Sequence, residues 1–379
     1  MFYALFIVGT FFSFFCQNKK RVLLFFTLAL ALISFFRYGI GTDYFAYQYL
    51  YDQLYSSFLE EYKYGLAPQE LGFRMVGSIF KELGIPYQLY ISIIAAVNLF
   101  FMYKLAWRYS ENSMLAMFLY FCMFYFVWTL SGLRQSLTIA IGIYYLVKCI
   151  EEKKALKIIV ISILLSFIHT SSLILIALYF LSKAKLSMKN YIVLTGVAVL
   201  FASLPLGFIV NYIPSSFLVS KITPYIQQNV SLNPFDFQSV ARLILLIVAL
   251  IYYKQLIKAK EINYKILNVY IFSILFYFFF QFGGELSASR LSIYGRVLEI
   301  LLFSNIYSLY KVKINKLIIA YLITIFSFLY LNKELNSMVQ QAEINYDSES
   351  IIPYIHIYNS SEYTFSSRYY HLVKQIPKR

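Results

Sequence analysis

An all-α, polytopic transmembrane bundle of about twelve spans, with amphipathic helices in an outer loop, is the fold class this sequence predicts. Three observations point to it. Of 379 residues, 60% are hydrophobic and only 13% charged, more apolar surface than a water-soluble domain can bury. The apolar residues come in long unbroken runs. The lysines cluster between those runs at alternate connections, which is the positive-inside signature of a polytopic inner-membrane protein. A net charge of +15 invites a nucleic-acid reading, but basic residues spread over short connections serve topology instead, so no nucleic-acid partner is expected.

In chain order the runs lie at 2–16, 22–36, 86–103, 113–130, 133–148, 155–168, 171–182, 190–210, 239–257, 264–282, 293–310 and 316–331. Phe2–Cys16 lacks a basic leader and a small-residue cleavage pattern, so it is expected to be a retained first span. The basic connections are Lys19-Lys20-Arg21, Lys104 with Arg108, Lys148 to Lys157, Lys183 to Lys189, Lys254 to Lys265, and Lys311 to Lys316. Because they alternate, all can be cytoplasmic at once, leaving both termini outside. Residues 155–182 test this scheme. One helix over that stretch would run ~42 Å, too long for a ~30 Å hydrocarbon core, and two full spans would not fit. The expected solution is two short helices meeting at His169-Thr170-Ser171-Ser172, a turn below the outer surface that needs a protein-lined cavity.

The expected organisation is one membrane domain over 1–335, with large outer loops at 37–85 and 211–238, and an outer tail over 336–379. The first loop opens on Arg37–Tyr51, where an arginine, two glycines and an aspartate interrupt the apolar run among many aromatic residues. Gly39 and Gly41 permit a sharp turn there, and tyrosines suit the interface because one end of the ring is apolar and the other wet. Within this loop, Gln48–Tyr62 and Pro68–Leu83 read as amphipathic helices. The second loop carries Pro214, Pro224 and Pro234 and reads as a connector or lid. Cys16, Cys122 and Cys149 show no paired spacing, so no disulfide or metal framework is expected.

Basic residues differ by side. Cytoplasmic connections use mostly lysine, whereas the outer side carries Arg37, Arg74, Arg134, Arg290 and Arg296, with Arg242 near an outer helix end. Arginine offers a planar fork that matches phosphate or carboxylate oxygens, so these positions point either to an anionic ligand or to ion pairs with Asp43, Glu70, Glu285 or Glu299. His169 is the one histidine of the membrane region, His356 and His371 lying in the tail. It reads either as a satisfied packing residue or as a general base, with Thr170 and Ser171 fixing its tautomer and Asp43 or Glu70 as substitute bases. No metal-ligand spacing, Asp-x-Asp pair or glycine-rich phosphate loop is present, so neither a metal nor another cofactor is expected.

Phe36-Arg37-Tyr38-Gly39-x-Gly41-x-Asp43-Tyr44, then Gly132-Leu133-Arg134-Gln135, His169-Thr170-Ser171, Arg290 with Tyr294, and Pro353-Tyr354, taken in that order, resemble the EpsG/Wzy-type polysaccharide polymerases. The likeness runs from about residue 1 to 360. It implies a metal-independent membrane glycosyltransferase at the outer face of the cytoplasmic membrane. Such an enzyme uses undecaprenyl-diphosphate-linked oligosaccharides as donor and acceptor to build O-antigen, capsule or exopolysaccharide, with a chain-length regulator as an optional partner. On this reading His169 and Asp43 are the catalytic candidates, and Arg37, Arg134, Arg290 and Arg296 would hold the diphosphate. Tyr38, Tyr44, Glu70, Tyr294 and Tyr354 would meet the acceptor sugar. Two readings compete: an O-antigen ligase-like transferase, and a flippase or other transporter of lipid-linked oligosaccharide. A transporter should show repeated halves and ionisable residues at mid-span, and the sequence has no internal repeat.

Overall fold

A computed structural model describes residues 1–204, 237–283, 285–341, 344–345, 354–365 and 367–375. Most of the proline-bearing 211–238 loop, and Pro353, lie outside the described residues. The helices are α1 (Phe2–Phe15), α2 (Lys20–Phe36), α3 (Tyr44–Gln53), α4 (Phe58–Tyr64), α5 (Leu71–Glu82), α6 (Tyr87–Tyr109) and α7 (Ser113–Met123). A π-helical turn at Phe126–Ser131 leads into α8 (Leu133–Glu152) and α9 (Ala155–Ser166), and a 3₁₀ turn at Thr170–Leu173 into α10 (Ile174–Leu181). Then come α11 (Met188–Ala202), α12 (Phe237–Ile251), α13 (Tyr253–Ala259), α14 (Glu261–Phe279), α15 (Glu285–Arg296), α16 (Glu299–Leu309), α17 (Lys313–Gln341) and α18 (Arg368–Gln375). Among the described residues the only strands are the two-residue pair Ile344–Asn345 and Thr364–Phe365.

The apolar runs are largely helical over their described parts, but the expected count of about twelve spans is not confirmed by helix length. Among the described residues three helices are long and apolar enough to cross a bilayer, Tyr87–Tyr109, Glu261–Phe279 and Lys313–Met338, or four with the pair Gln238–Ile251 and Tyr253–Ala259, bent by 57°. Two of the other runs are broken internally. The run at 113–130 changes from α to π winding near Phe124, and that at 293–310 splits at Val297-Leu298. Hydropathy smooths over both breaks.

The chain forms two compact units. The first comprises Met1–Tyr144, Ile163–Thr170 and Tyr310–Arg379. Its centre is α7, an apolar helix on all sides whose every residue is buried, as a helix without a polar face must be. Against it pack α1, α2, α6 and α17. α17 keeps only 11% of its most apolar window buried and turns Leu317, Ile318, Tyr321 and Leu329 outward, a surface suited to lipid. At the start of α2, Asn18 Nδ2 donates to Glu111 O at 2.6 Å and Met114 N–H to Gln17 O at 3.2 Å. At the other end of α2, residues 36–38 pair antiparallel with 355–357 through Tyr38 N–H to Ile355 O and Ile357 N–H to Phe36 O, both 3.0 Å. The tail thus folds back onto the first outer turn, where Phe365 packs on Tyr38 and Phe45.

The second unit comprises Tyr145–Ser162 and Ser171–Leu309 and is built around α14. In the N-terminal half of α14, Asn268 Nδ2 donates to Ser182 O at 2.9 Å and Ala184 O at 2.8 Å, while Tyr191 donates to Asn268 Oδ1. At the other end, Tyr277 hydroxyl meets Ser239 Oγ at 3.0 Å. In the first unit the Lys19-Lys20-Arg21 connection and the Arg37 turn lie at opposite ends of α2. The stretch 155–182 is a hairpin. Ser172 Oγ donates to Ser162 O at 3.2 Å, whereas ten residues of straight helix would hold those groups ~15 Å apart. With 12 and 8 residues, α9 and α10 each fall short of a ~30 Å core.

Candidate functional site

Glu70 anchors the arrangement in the first unit. It stands at the N-cap position of α5 with extended backbone, so its side chain leaves the helix end freely. One carboxylate oxygen accepts from the Arg134 guanidinium. The other lies 3.2 Å from His169 Nδ1, 3.1 Å from Thr170 Oγ1 and 3.3 Å from the Thr170 main-chain N–H. Arg134 Nε also donates to the Tyr47 hydroxyl at 3.3 Å, which tethers α8 to α3. All three charged or titratable side chains are largely withdrawn from solvent, Arg134 to 22%, Glu70 to 12% and His169 to 12% exposure. Burial would raise the Glu70 carboxyl, but the hydrogen bond from His169 and the charge of Arg134 outweigh it and hold the group well below the usual carboxylate range. Glu70 is therefore ionised and can only accept, so His169 carries a proton on Nδ1 and presents Nε2 as its basic nitrogen.

Close packing places these groups. A Cβ on Gly72 would sit 2.7 Å from Phe167 O, so only glycine lets the first turn of α5 approach the hairpin tip that carries His169. The π turn presents the Arg134 end of α8, with Gly132 N–H closing onto Val127 O at 3.0 Å. π turns widen the winding by one residue and redirect the helix that continues from them. Ser131 Oγ accepts from Thr42 N–H at 3.0 Å, joining this turn to the first outer loop. At Gly41, φ is +110°, and a Cβ would come 2.6 Å from Leu130 O, so conformation and contact both demand glycine.

Several expected roles need correction. Arg37 is 1% exposed, and its Nη1 donates to Leu130 O and, at 3.2 Å, to Ile40 O. It ties the outer turn to the π segment instead of offering its fork to a ligand. Thr170 and Ser171 do not set the tautomer of His169. Glu70 does, Thr170 donates to the same carboxylate, and Ser171 Oγ lies 3.1 Å from the Tyr294 hydroxyl in the second unit. Tyr44 is buried, donating to Gln88 Oε1 at 2.8 Å, and Tyr354 donates to Ile33 O at 2.8 Å, so both hydroxyls hold backbone and helix ends together. Tyr38 is partly buried among Tyr44, Phe45 and Phe365. Asp43 is the N-cap residue of α3, one turn before Tyr47. The structure brings Glu70, Arg134 and His169 together; Asp43 stands beside them through Tyr47, whose hydroxyl feels the charges of both Arg134 and Asp43.

Arg290, Tyr294 and Arg296 belong to the second unit, all on α15. There Arg242, which sequence reasoning noted without assigning to the site, lies 5% exposed with its guanidinium 3.6 Å above the Tyr277 ring. It donates to Gln238 Oε1 at 3.2 Å and Ser289 Oγ at 3.3 Å. Glu299 is 1% exposed, with Arg296 and Arg242 as its charged neighbours. Tyr47 and Tyr277 were missed as well, since one tyrosine among 37 carries no signal. Among the described residues no three His, Cys, Asp or Glu side chains cluster as metal ligands would.

A family model described as EpsG family matches residues 20–356. No curated protein matches the chain, and no solved structure does.

Proposed function

The chain belongs to the EpsG family, and from that premise we propose that it is a membrane glycosyltransferase that polymerises lipid-diphosphate-linked oligosaccharide repeat units at the outer face of the cytoplasmic membrane. Undecaprenyl diphosphate is the carrier this reading takes for both donor and acceptor, and O-antigen, capsule or exopolysaccharide the product. The observation that supports it best is the Arg134–Glu70–His169 relay, since it supplies what such a transfer needs from an acceptor site. The acceptor hydroxyl attacks the anomeric carbon of the donor glycan while the bond from that carbon to the diphosphate oxygen breaks. The hydroxyl proton passes to His169 Nε2, and Glu70 stabilises the imidazolium that forms. Arg134 keeps Glu70 ionised and aimed. The leaving group is a lipid diphosphate. Guanidinium groups are the side chains suited to stabilising the charge that develops on it.

A deletion strain tests the reading. Surface glycan reduced to single repeat units, restored to long chains by the wild-type gene, is the expected outcome. Complete loss of surface glycan would instead favour a flippase or a ligase-like transferase, and would overturn polymerisation.

A further inference from the structure

Beside the relay, a cleft of ≈ 470 Å³ opens among α3, α4, the 65–69 turn and the start of α18. That volume lies within the ~300–1,000 Å³ range of small-molecule sites. Its walls include Tyr49, Tyr55, Tyr64 and Tyr369, together with the amides of Gln53 and Gln69. Three of these rings are far from buried, with Tyr55 at 43%, Tyr64 at 60% and Tyr369 at 43% exposure. They stand in two pairs, Tyr55 with Tyr64 at 6.4 Å between centroids and Tyr49 with Tyr369 at 6.0 Å. Gln69 Oε1 is buried and has no hydrogen-bond partner, and it directly precedes Glu70 in the chain.

The cleft has a rigid floor. Glu61, 1% exposed, takes Arg74 Nη1 at 2.6 Å and the Tyr55 main-chain N–H at 3.1 Å, so a buried ion pair fixes the backbone that carries one of the tyrosines. Among the described lining residues Glu61 is the one that is charged, and Arg74 neutralises it. A wall of aromatic faces and amides without net charge does not select phosphate, nucleotide or a peptide of either sign. It matches a saccharide, whose C–H faces pack on rings and whose hydroxyls pair with amide donors and acceptors.

We propose that this cleft binds the sugar portion of the growing or incoming glycan, one or more residues away from the reacting hydroxyl, as an extended glycan subsite. The proposal rests on the polymerase reading and deepens it. The cleft holds the chain so that successive transfers occur before release, and the tyrosines contribute affinity for glycan without touching the reacting atoms.

The test uses the full-length protein in lipid nanodiscs and, as probe, lipid-free repeat-unit oligosaccharides released by mild acid from the host's surface polysaccharide. Saturation-transfer NMR and titration should show binding to wild type. In Tyr64→Ala and Tyr369→Ala the Kd should weaken roughly tenfold, and Tyr64→Phe, which keeps the ring, should restore it. With lipid-linked repeat units, the alanine variants should make shorter chains while the rate of the first transfer stays unchanged. Absence of oligosaccharide binding by a wild-type protein that still polymerises overturns the subsite and leaves the polymerase reading standing. Absence of both binding and polymerisation overturns both. Alanine variants with unaltered affinity, whose only change is lost contact with nanodisc lipid, would show that these tyrosines face the bilayer and would also overturn the proposal.

Discussion

A carboxylate that accepts from the Nδ1–H of an imidazole leaves Nε2 to take a proton, and buried as it is at 12% exposure, Glu70 does so for His169 with little competition from water. His169→Gln keeps a hydrogen-bonding amide but no base. In an in vitro assay its polymerisation rate should fall by roughly 10²–10⁴ with protein level unchanged, and near wild-type chains from a stable variant would remove His169 from the chemistry. The Glu70 ion pair also has a pH signature. Because its folded-state pKa is depressed, its stabilisation is fully present above the ordinary carboxylate value of ~4.3 and is lost as pH falls through and below it. Thermal stability of wild type should thus decline below pH ~4 more steeply than that of Glu70→Gln, and the two should run parallel above neutrality. At this scale the sequence showed the residue types that meet in the structure, with His169, Arg134 and Glu70 all recognisable as polar breaks. It did not carry the pairing, because Glu70 and His169 are 99 positions apart and a carboxylate's partner follows from packing alone.

The elements that matter most for the relay are the hairpin of α9 and α10 and the first turn of α5. The hairpin was legible from arithmetic, 28 residues being too many for one crossing and too few for two. Its contact with α5 was not, since a glycine in Leu71-Gly72-Phe73 gives no hint that a carbonyl lies within 2.7 Å of its missing Cβ. In Gly72→Ala that contact forces backbone apart at a cost of about 1–3 kcal/mol. A lower thermal midpoint and weaker polymerisation are expected together, and a variant matching wild type in both would mean that α5 and the hairpin tip need not touch. The π turn before Gly132 is likewise invisible in Phe126–Ser131, which reads as ordinary apolar helix. Its extra residue per turn swings the Leu130 carbonyl toward Arg37, an acceptor that a regular α-helix would keep for itself.

For the whole molecule, sidedness is the property to measure. Single cysteines in a cysteine-free background at Asn18 and Glu111, which lie together in the first unit, should react with a membrane-impermeant reagent only after the membrane is opened. One at Tyr358, 78% exposed beside the far end of α2, should react in intact cells. The opposite pattern would invert the expected topology and put the relay on the inner side. The sequence by itself determined the class of the molecule, the position of its helices and the alternation of its basic connections, because these depend on the cost of placing polar groups in hydrocarbon, which is met locally along the chain. Only the tertiary structure decided which of the described helices are long enough to cross, that the tail returns to the Arg37 turn, and that Arg37 is a buried tie while Arg134 joins Glu70 and His169. Those outcomes depend on which distant surfaces meet, and hydropathy, a sum over neighbours in sequence, carries no record of neighbours in space.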